Sequence, residues 1–311
     1  MRHDAEQAFA GIGAWPYRLR RELGLRAAVE ALASREPEAA RVHFESLAER
    51  YPGLRAELRT GLLTGWAAAD PDGLRDYVRS LSDSEMGPAL GDTLGVIALH
   101  HGVEALLAWA ELLIQQTPDE RLRAKIFRKA ARNAARREPL RASDWVAAHA
   151  QHDFAVDGLP AVAEAWILVE PLAALEWLET ASPAERRAKA LELAYGRWLY
   201  EDNAAATSWL ESTERTSFHD SAVASNARNR VRRAPLEAAG WCEQVIDPET
   251  REKCLVSVVV TWLRKDRPGA EAWLEGSSLD REARESLLAR AAHAKRGGPR
   301  RARATDPAER R

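Results

Sequence analysis

Five basic residues recur at helical spacing near the middle of the chain, where they could bind an anionic partner. They are Arg121, Lys125, Arg128, Arg132 and Arg136. At 100° per residue, the five side chains fall within about 80° on one face of a helix. Because neighbouring cations repel one another, something must neutralise them. The face is either solvated and paired with acids of neighbouring helices, such as Glu104, Glu111 or Asp144, or it binds an acidic partner.

Two short histidine clusters have residue types that bind metals. One holds His149, His152 and Asp153, and the other holds His100, His101 and Glu104. Neither cluster has a fourth ligand at a usable spacing. The sequence also lacks the phosphate-binding, zinc-protease and serine-hydrolase motifs. We therefore expect no metal, no cofactor and no catalytic residue.

The composition is that of a folded, helical chain. Of its 311 residues, 46% are hydrophobic and 30% are charged, which suits a packed core in water rather than disorder. Alanine, leucine, arginine and glutamate dominate, and aromatic residues other than tryptophan are few. These residue types favour helix.

Three features of the sequence favour the cytoplasm. Cys242 and Cys254 are too few for a disulfide framework, which fits a reducing compartment and small core residues on adjacent helices. The N-terminal region has no apolar stretch of the kind that a secretory signal needs. The longest uncharged apolar run near the other end, residues 254–263, is about half as long as a membrane-spanning helix. We expect a cytoplasmic protein that does not enter a membrane.

The charge is unevenly distributed along the chain. The net charge is −2, but residues 295–311 hold seven basic and two acidic side chains, a net of +5, so the rest carries −7. Within that acidic body, residues 121–141 hold nine basic side chains against one acid. This asymmetry indicates that the chain binds a partner with an acidic surface, but it does not bear on the fold.

A large aromatic residue recurs at a fixed interval along most of the chain. The series is Trp145, Trp177, Trp209, Trp241 and Trp273, and Tyr77 and Trp109 extend it upstream across a four-residue insertion. A turn signal lies seven residues before most of these positions. The signals are Asp70-Pro71, Glu138-Pro139, Glu170-Pro171, Asp202-Asn203, Ala234-Pro235 and Asp266-Arg267-Pro268, with Glu36-Pro37 beginning an earlier copy. A fixed period of about 32 residues is typical of stacked helical repeats.

Each repeat is predicted to be a pair of antiparallel helices. An acid before proline suits a helix start, because the carboxylate caps free amides and proline fits the first helical position. A second set of starts lies at Thr117-Pro118-Asp119-Glu120, Ser182-Pro183-Ala184-Glu185 and Asp247-Pro248. The spacing predicts a first helix of about 15–18 residues, a tight turn and a second helix of about 10. In this register the β-branched segment 254–263 is predicted to be helix rather than strand.

The repeated hairpins resemble the α-solenoid proteins, in the broad sense that includes tetratricopeptide-like and HEAT-like arrays. The resemblance covers roughly residues 17–294 and implies an all-α fold, a right-handed α-solenoid of about eight αα-hairpin repeats. The tetratricopeptide pattern Trp-x2-Leu-Gly-x2-Tyr is not met around Trp198 or Trp262. An N-terminal segment, 1–16, and a disordered basic tail, 295–311, are expected outside the array.

Two ladders of residues come to similar heights on the paired helices. The second-helix ladder is the aromatic series above, and a sustained apolar period predicts that it is buried. The first-helix ladder is Trp66, Ala98, Ala134, Trp166, Trp198, Arg230 and Trp262. Because arginine is costly in a sealed core, we expect this position at the edge of the core, facing a groove. Its tryptophans Trp66, Trp166, Trp198 and Trp262 then either pack or contact a partner.

The function predicted from these features is that of a non-enzymatic scaffold. Solenoids present extended surfaces, so a protein or peptide partner of acidic character is expected to bind there. The alternative is a nucleic-acid-binding HEAT-like protein. Some HEAT-like solenoids are DNA alkylation-repair glycosylases that use a basic channel with aromatic and acidic residues. The pairs Trp66/Asp70, Trp198/Asp202 and Trp262/Asp266 are superficially similar, but they repeat, and the acidic body opposes a long phosphate track.

Overall fold

The computed structural model describes residues 2–277 and 279–296. Within these residues the chain is all-helical, with 17 α-helices and no strand. The chain forms two compact units, and the boundary between them lies between Ala190 and Leu191. The all-α prediction is therefore confirmed for the described part of the chain.

The first unit contains ten helices and the beginning of an eleventh. They are α1 (Arg2–Gly13), α2 (Arg18–Ala33), α3 (Pro37–Arg50), α4 (Arg55–Ala69), α5 (Pro71–Ser80), α6 (Asp83–Gln115), α7 (Glu120–Ala135), α8 (Pro139–Ala148), α9 (Gly158–Trp166), α10 (Pro171–Thr180) and α11 (Arg187–Glu201). The predicted N-terminal segment 1–16 contains α1.

The second unit contains the rest of α11 and six further helices. They are α12 (Asn203–Ser212), α13 (Asp220–Arg230), α14 (Pro235–Glu243), α15 (Pro248–Lys265), α16 (Arg267–Gly276) and α17 (Arg281–Arg296). The β-branched segment 254–263 lies inside α15, so the prediction of helix there, against its local β-propensity, is confirmed. The predicted tail begins inside α17, and its residues 297–311 lie outside the described part of the chain.

One turn conformation recurs between paired helices. The residue before each second helix has φ between −150° and −133° and ψ between 72° and 87° at Glu36, Asp70, Glu138, Glu170, Asp202, Ala234 and Asp266. Proline follows five of these residues and disfavours helical ψ in the residue before it, but Asp202 and Asp266 adopt the same conformation without a following proline. The predicted turns are confirmed, but an acid-proline sequence does not by itself specify their conformation, because Asp247 before Pro248 has φ −68° and ψ 122°.

The predicted alternation of longer and shorter helices is confirmed for most pairs. Of the first helices, α2, α4, α7 and α15 have 16, 15, 16 and 18 residues. Of the second helices, α5, α8, α10, α12 and α16 have 10 residues each. The first helices α9 and α13 are shorter, with 9 and 11 residues, and a 3₁₀ turn precedes each of them.

Glycine makes the turn inside α6. Gly102 has φ 85° and ψ 174°, outside the helical region, so α6 consists of two helices that meet at this residue. Only glycine adopts such a conformation without strain. Gly102 lies one full period after Asp70 and seven positions before Trp109, where the repeat predicts a turn. The second half of α6 is therefore the second helix of this pair.

One described helix, Ser84–Gln115 within α6, is long and apolar enough to cross a membrane by length and composition alone. Half of its most apolar window is buried inside the protein, as in a core helix.

First helices in the first unit pack side by side, and glycine allows the closest approach. In this unit α2 packs on α4, α4 on α6, α6 on α7 and α7 on α9. A Cβ at Gly61 would lie 2.6 Å from the backbone oxygen of Arg26, and one at Gly65 would lie 2.2 Å from that of Glu30. The backbones of α2 and α4 thus touch where a side chain would hold them apart.

Helix caps follow the sequence only in part. Glu36, Glu138 and Glu170 form no side-chain cap hydrogen bond, and the predicted capping box from Ser182 is wrong, because Pro183 occupies the N-cap there. Asp247 accepts a hydrogen bond from the Thr250 amide at 2.8 Å, as its position before Pro248 predicts. At the start of α7 the cap is Asp119, which accepts from the Leu122 amide at 2.7 Å. The predicted capping box from Thr117 is wrong, because the Thr117 hydroxyl instead donates to the carbonyl of Leu113 in the preceding helix.

Cys242 and Cys254 form a disulfide that joins α14 to α15, with Cα atoms 5.5 Å apart. Both residues are buried. Their burial on adjacent helices is as predicted, but the expectation of reduced cysteines is wrong, because the two are bonded. The short connection between α14 and α15 brings the end of one helix against the start of the next. Since disulfides persist in oxidising compartments, the cysteines no longer support the cytoplasm, and that location stays a prediction.

Candidate protein-binding surface

Helix α7 carries the predicted cations in the first unit. Its other side packs into the core through Ile126, Phe127, Ala130 and Ala134, which are fully buried. Arg121, Lys125, Arg128 and Arg132 lie on α7, and Arg136 caps its C-terminus. The side chains of Arg121, Arg128 and Arg136 are exposed, and those of Lys125 and Arg132 are half-buried. The prediction that these cations share one face of a helix is thus consistent with these burials.

Arg132 has an acidic partner in the neighbouring first helix. Its guanidinium forms an ion pair with Glu164 of α9. Among the residues that the structure describes, Arg121, Lys125, Arg128 and Arg136 form no ion pair. Most of the predicted cations are therefore not neutralised within the described part of the chain.

The acids that were expected to neutralise this face lie elsewhere. Glu104 pairs with Arg141 at 3.1 Å. A carboxylate oxygen of Glu111 lies 2.9 Å from His149 Nε2. Asp144 is exposed on α8 and forms no ion pair with another described residue. The expected pairing with Glu104, Glu111 and Asp144 is thus wrong, because these side chains belong to second helices or their turns, whereas α9 supplies the acid.

Lys129 belongs to the same surface and was missed by the sequence reasoning. Burial lowers the pKa of its ammonium from the ordinary value, and repulsion from Lys125 and Arg128 lowers it further. Asp92 of α6 opposes this shift, but its carboxylate already pairs with Arg59 at 3.2 Å. We call the six cations Arg121, Lys125, Arg128, Lys129, Arg132 and Arg136 the basic face. The signal for Lys129 was its spacing of four residues from Lys125, which places both on one ridge of the helix.

Both lysines of the basic face lie against a row of glycines on α6. The ammonium nitrogen of Lys125 is 2.6 Å from the position that a Cβ at Gly87 would occupy, and that of Lys129 is 3.1 Å from the corresponding position at Gly91. Residue numbers increase in the same direction along both helices from the first contact to the second, so this part of α6 runs parallel to α7. Larger side chains at these glycines would displace the ammonium groups.

The four first-helix tryptophans are buried, contrary to the expected groove position. Their exposed fractions are 2%, 4%, 7% and 5% for Trp66, Trp166, Trp198 and Trp262. Most of the second-helix aromatics, Trp177 and Trp209 among them, are only half-buried. The expectation that first-helix tryptophans face a groove is wrong, and their direct contact with a partner loses its structural basis.

Ring contacts within each hairpin explain this burial. The ring centroids are 5.0 Å apart for Trp66 and Tyr77, 5.3 Å for Trp166 and Trp177, 6.2 Å for Trp198 and Trp209, and 6.0 Å for Trp262 and Trp273. The prediction that paired aromatics meet at similar heights is confirmed. The second-helix ring covers the first-helix ring, so it is the outer member of each pair.

Second-helix tryptophans also bind the preceding second helix. Trp109 Nε1 donates to the carbonyl oxygen of Pro71 at 2.8 Å. Trp177 Nε1 donates to the hydroxyl of Ser143 at 2.8 Å. Tryptophan suits both the buried position of Trp109 and the half-buried position of Trp177, because its body packs while its N–H reaches a polar group.

Arg230 shows how the first-helix position accepts an arginine. Its guanidinium pairs with Glu237 at 3.0 Å and donates to the hydroxyl of Thr207 at 3.2 Å. It also donates to the Asn226 side-chain oxygen and lies over the Trp241 ring. The charge is thus neutralised and fully hydrogen-bonded, so the arginine does not require a groove at this position.

The acids of the tryptophan-acid pairs are helix caps. Their carboxylates accept the backbone amides of Gly73 at 2.9 Å, Ala205 at 3.0 Å and Gly269 at 3.1 Å, from Asp70, Asp202 and Asp266 respectively. A carboxylate that caps a helix beside a buried indole has a structural role. The similarity of these pairs to a DNA-glycosylase site is therefore explained by helix capping and does not support a catalytic role for these acids.

The histidines have structural partners. His149 Nδ1 lies 2.8 Å from the carbonyl oxygen of Trp145, and His101 Nε2 lies 2.7 Å from that of Ala67. Within residues 2–277 and 279–296, no group of three or more His, Cys, Asp or Glu side chains could hold a metal ion.

Exposed apolar residues follow the basic face along the chain. Leu140, in the first turn of α8, is 65% exposed. Leu172 occupies the equivalent position in the next repeat, in α10, and is 58% exposed, and Val169 in the turn before it is 56% exposed. Large apolar side chains in neighbouring exposed positions are typical of protein interaction surfaces.

No protein-family model matches the chain, and no curated protein and no solved structure shows significant similarity to it.

Proposed function

We propose that the chain is a non-enzymatic scaffold that binds an acidic protein or peptide on the basic face of α7. The observation that carries this proposal is the lack of ion pairs at Arg121, Lys125, Arg128 and Arg136 among the described residues. Unpaired cations on a body of opposite net charge attract an acidic partner and steer its approach.

A protein partner is favoured over nucleic acid by exposed apolar residues in the segments that follow the face along the chain. Leu140 lies four residues after Arg136, and Val169 and Leu172 lie one period further on. Phosphate backbones are recognised by cations and polar groups, whereas protein interfaces combine a charged rim with apolar contacts. The body of the chain is also acidic.

We further propose that the helix pairs are repeats of a right-handed α-solenoid, about eight hairpins with a 32-residue period. The recurring turn conformation and the repeated aromatic pairs support this architecture. In such an array each repeat contacts its neighbours, so a whole repeat can be removed while the rest still folds. Deletion of residues 203–234, one full period, is expected to leave a cooperatively folded helical protein. Loss of cooperative unfolding would contradict the repeat architecture.

The binding proposal is tested by reversing two exposed, unpaired cations. The variant Arg121→Glu/Arg128→Glu leaves the Arg132–Glu164 pair intact. The control Arg232→Glu/Arg233→Glu changes the net charge equally at two exposed arginines of the second unit. A partner captured by the wild-type protein from an extract of its host is then measured against purified variants. We expect association at low salt to slow by about tenfold or more in the first variant and to change little in the control.

Two results would overturn the proposal. One is equal association of the partner with both double variants. The other is binding that does not change between about 50 and about 300 mM salt, because exposed charges are screened over that range. A gel shift with duplex DNA that is stronger than partner binding, and that is lost in the same variant, would favour the nucleic-acid alternative instead.

A further inference from the structure

Three cations of the basic face lie close together on α7 without a counterion. Lys125, Arg128 and Lys129 lie within two helical turns of α7, and none forms an ion pair with another described residue. The carboxylate of Asp92 acts on Lys129 but already pairs with Arg59, and Glu164 pairs with Arg132. Three positive charges at this spacing repel one another in the free protein.

The lysine ammonium groups are positioned rather than free in solvent. Both lie over the glycines of α6, at 2.6 Å and 3.1 Å from the Cβ positions of Gly87 and Gly91. Because the lysines are four residues apart, their ammonium groups are separated by about 6 Å along the helix axis. Both lysine side chains are half-buried, whereas Arg128 is exposed beside them. The two ammonium groups are therefore held against α6, and Arg128 adds a third cationic donor within the same two turns of α7.

We propose that Lys125, Arg128 and Lys129 bind a phosphate group carried by the peptide or protein partner, above the glycines of α6. This inference rests on the proposed function and names the chemistry of the partner. A phosphate group carries between about 1.5 and 2 negative charges and three acceptor oxygens, which match three cationic donors. A single carboxylate carries one charge and leaves the repulsion among three cations largely in place.

The first test uses inorganic phosphate as the probe. The melting temperature of the full chain is measured in rising sodium phosphate and in sodium chloride of equal ionic strength. A phosphate site predicts a saturable rise in phosphate beyond that in chloride, because a ligand that binds only the folded state stabilises it. Identical curves in the two salts would overturn the proposal.

Lys129→Met separates a binding role from a structural one. Methionine keeps the length and packing of the side chain but removes its charge, so repulsion from Lys125 and Arg128 is relieved. The variant is expected to melt at a higher temperature than the wild type without phosphate, and to lose the phosphate-dependent rise. Arg35→Met, at an exposed arginine of the first unit, serves as the control and is expected to keep that rise. A Lys129→Met variant that still responds to phosphate like the wild type would contradict the site.

Gly87→Ala tests the position of an ammonium group with every charge retained. Its Cβ would lie 2.6 Å from the Lys125 ammonium nitrogen and must displace it, and because this nitrogen is the end of a flexible side chain, the helices need not move apart. We expect phosphate affinity to fall by about tenfold, the effect of one charge-assisted hydrogen bond. Circular dichroism verifies that the variant is folded. Unchanged affinity in a folded variant would show that diffuse charge, not a positioned site, attracts the anion.

The source of the phosphate is tested with the captured partner. Phosphatase treatment of that partner is expected to weaken its binding by about tenfold or more. If treated and untreated partner bind equally while Arg121→Glu/Arg128→Glu abolishes binding, the phosphate site is overturned and the scaffold function stands. If neither treatment nor the double variant affects binding, both proposals fail. Binding of free phosphate without a phosphatase effect overturns the assignment of the phosphate to the partner.

Discussion

The ammonium nitrogen of Lys129 in α7 lies 3.1 Å from the point where a Cβ atom at Gly91 in α6 would stand. The missing side chain on α6 therefore determines where the positive charge on α7 is held. Burial in this position and the neighbouring cations lower the pKa of Lys129, with Asp92 opposing the effect. A surface charge that lowers the stability of its own protein is more readily explained by binding than by folding.

Because the pKa of Lys129 is lowered, the difference in free energy of unfolding between the wild type and Lys129→Met should depend on pH. Below its folded-state pKa, the charged ammonium lowers the stability of the wild type by a constant amount. Between that pKa and the ordinary value of 10.5, the unfolded chain binds more protons than the folded one, so the free energy of unfolding rises with pH. The methionine variant lacks this rise. Urea unfolding of both proteins from about pH 7 to about pH 10 is expected to show the stability gap narrowing, and a gap independent of pH would contradict the placement of Lys129.

Truncation of an inner tryptophan is expected to destabilise more than truncation of its outer partner. Trp198→Ala removes a side chain that is 7% exposed, whereas Trp209→Ala removes the half-buried ring that covers it. We expect a loss of about 3–5 kcal/mol in the free energy of unfolding for Trp198→Ala and a smaller loss for Trp209→Ala. Denaturant unfolding of both variants measures the difference. A Trp198→Ala variant of normal stability that binds the partner poorly would restore the groove interpretation.

The carboxylate of Asp70 should stabilise α5 through its cap. It accepts the Gly73 amide at 2.9 Å, whereas Glu36 before α3 has the same backbone conformation and makes no side-chain cap. Asp70→Ala is expected to lower the free energy of unfolding by about 1 kcal/mol, and Glu36→Ala by much less. Urea unfolding at neutral pH compares the two. Equal losses would show that the acid acts through charge near the helix N-terminus rather than through the hydrogen bond.

Two glycine substitutions are expected to change stability in opposite directions. A Cβ at Gly65 would meet the Glu30 carbonyl oxygen at 2.2 Å and the Ser34 amide nitrogen at 2.9 Å, so Gly65→Ala must separate α2 from α4. We expect it to destabilise by about 1–3 kcal/mol. Gly240 in α14 has no atom within 4 Å of its Cβ position, so Gly240→Ala is expected to stabilise by about 0.5–1 kcal/mol. Thermal unfolding of both variants gives the signs, and destabilisation by Gly240→Ala would contradict the open space there.

The helices and their turns were largely determined by the sequence. Asp70 before Pro71 and Asp247 before Pro248 both begin helices, and Asp247 caps its helix as predicted. These features depend on residues within a few positions of one another, so a local pattern is enough to predict them. Residues 254–263 also form the predicted helix against their β-propensity, because tertiary packing overrides local propensity.

Only the tertiary structure decided which tryptophan of each pair is buried, which cations are paired and that Cys242 is bonded to Cys254. Trp198 and Trp209 are alike in the sequence, yet Trp198 is buried and Trp209, whose ring lies against it, is half-buried. Arg132 forms an ion pair and Arg128 does not, because Glu164 of α9, the first helix of the following pair, lies next to Arg132. A periodic sequence gives each repeat the same local shape, but burial and charge pairing are set by atoms from other repeats, whose placement depends on the packing of whole helices.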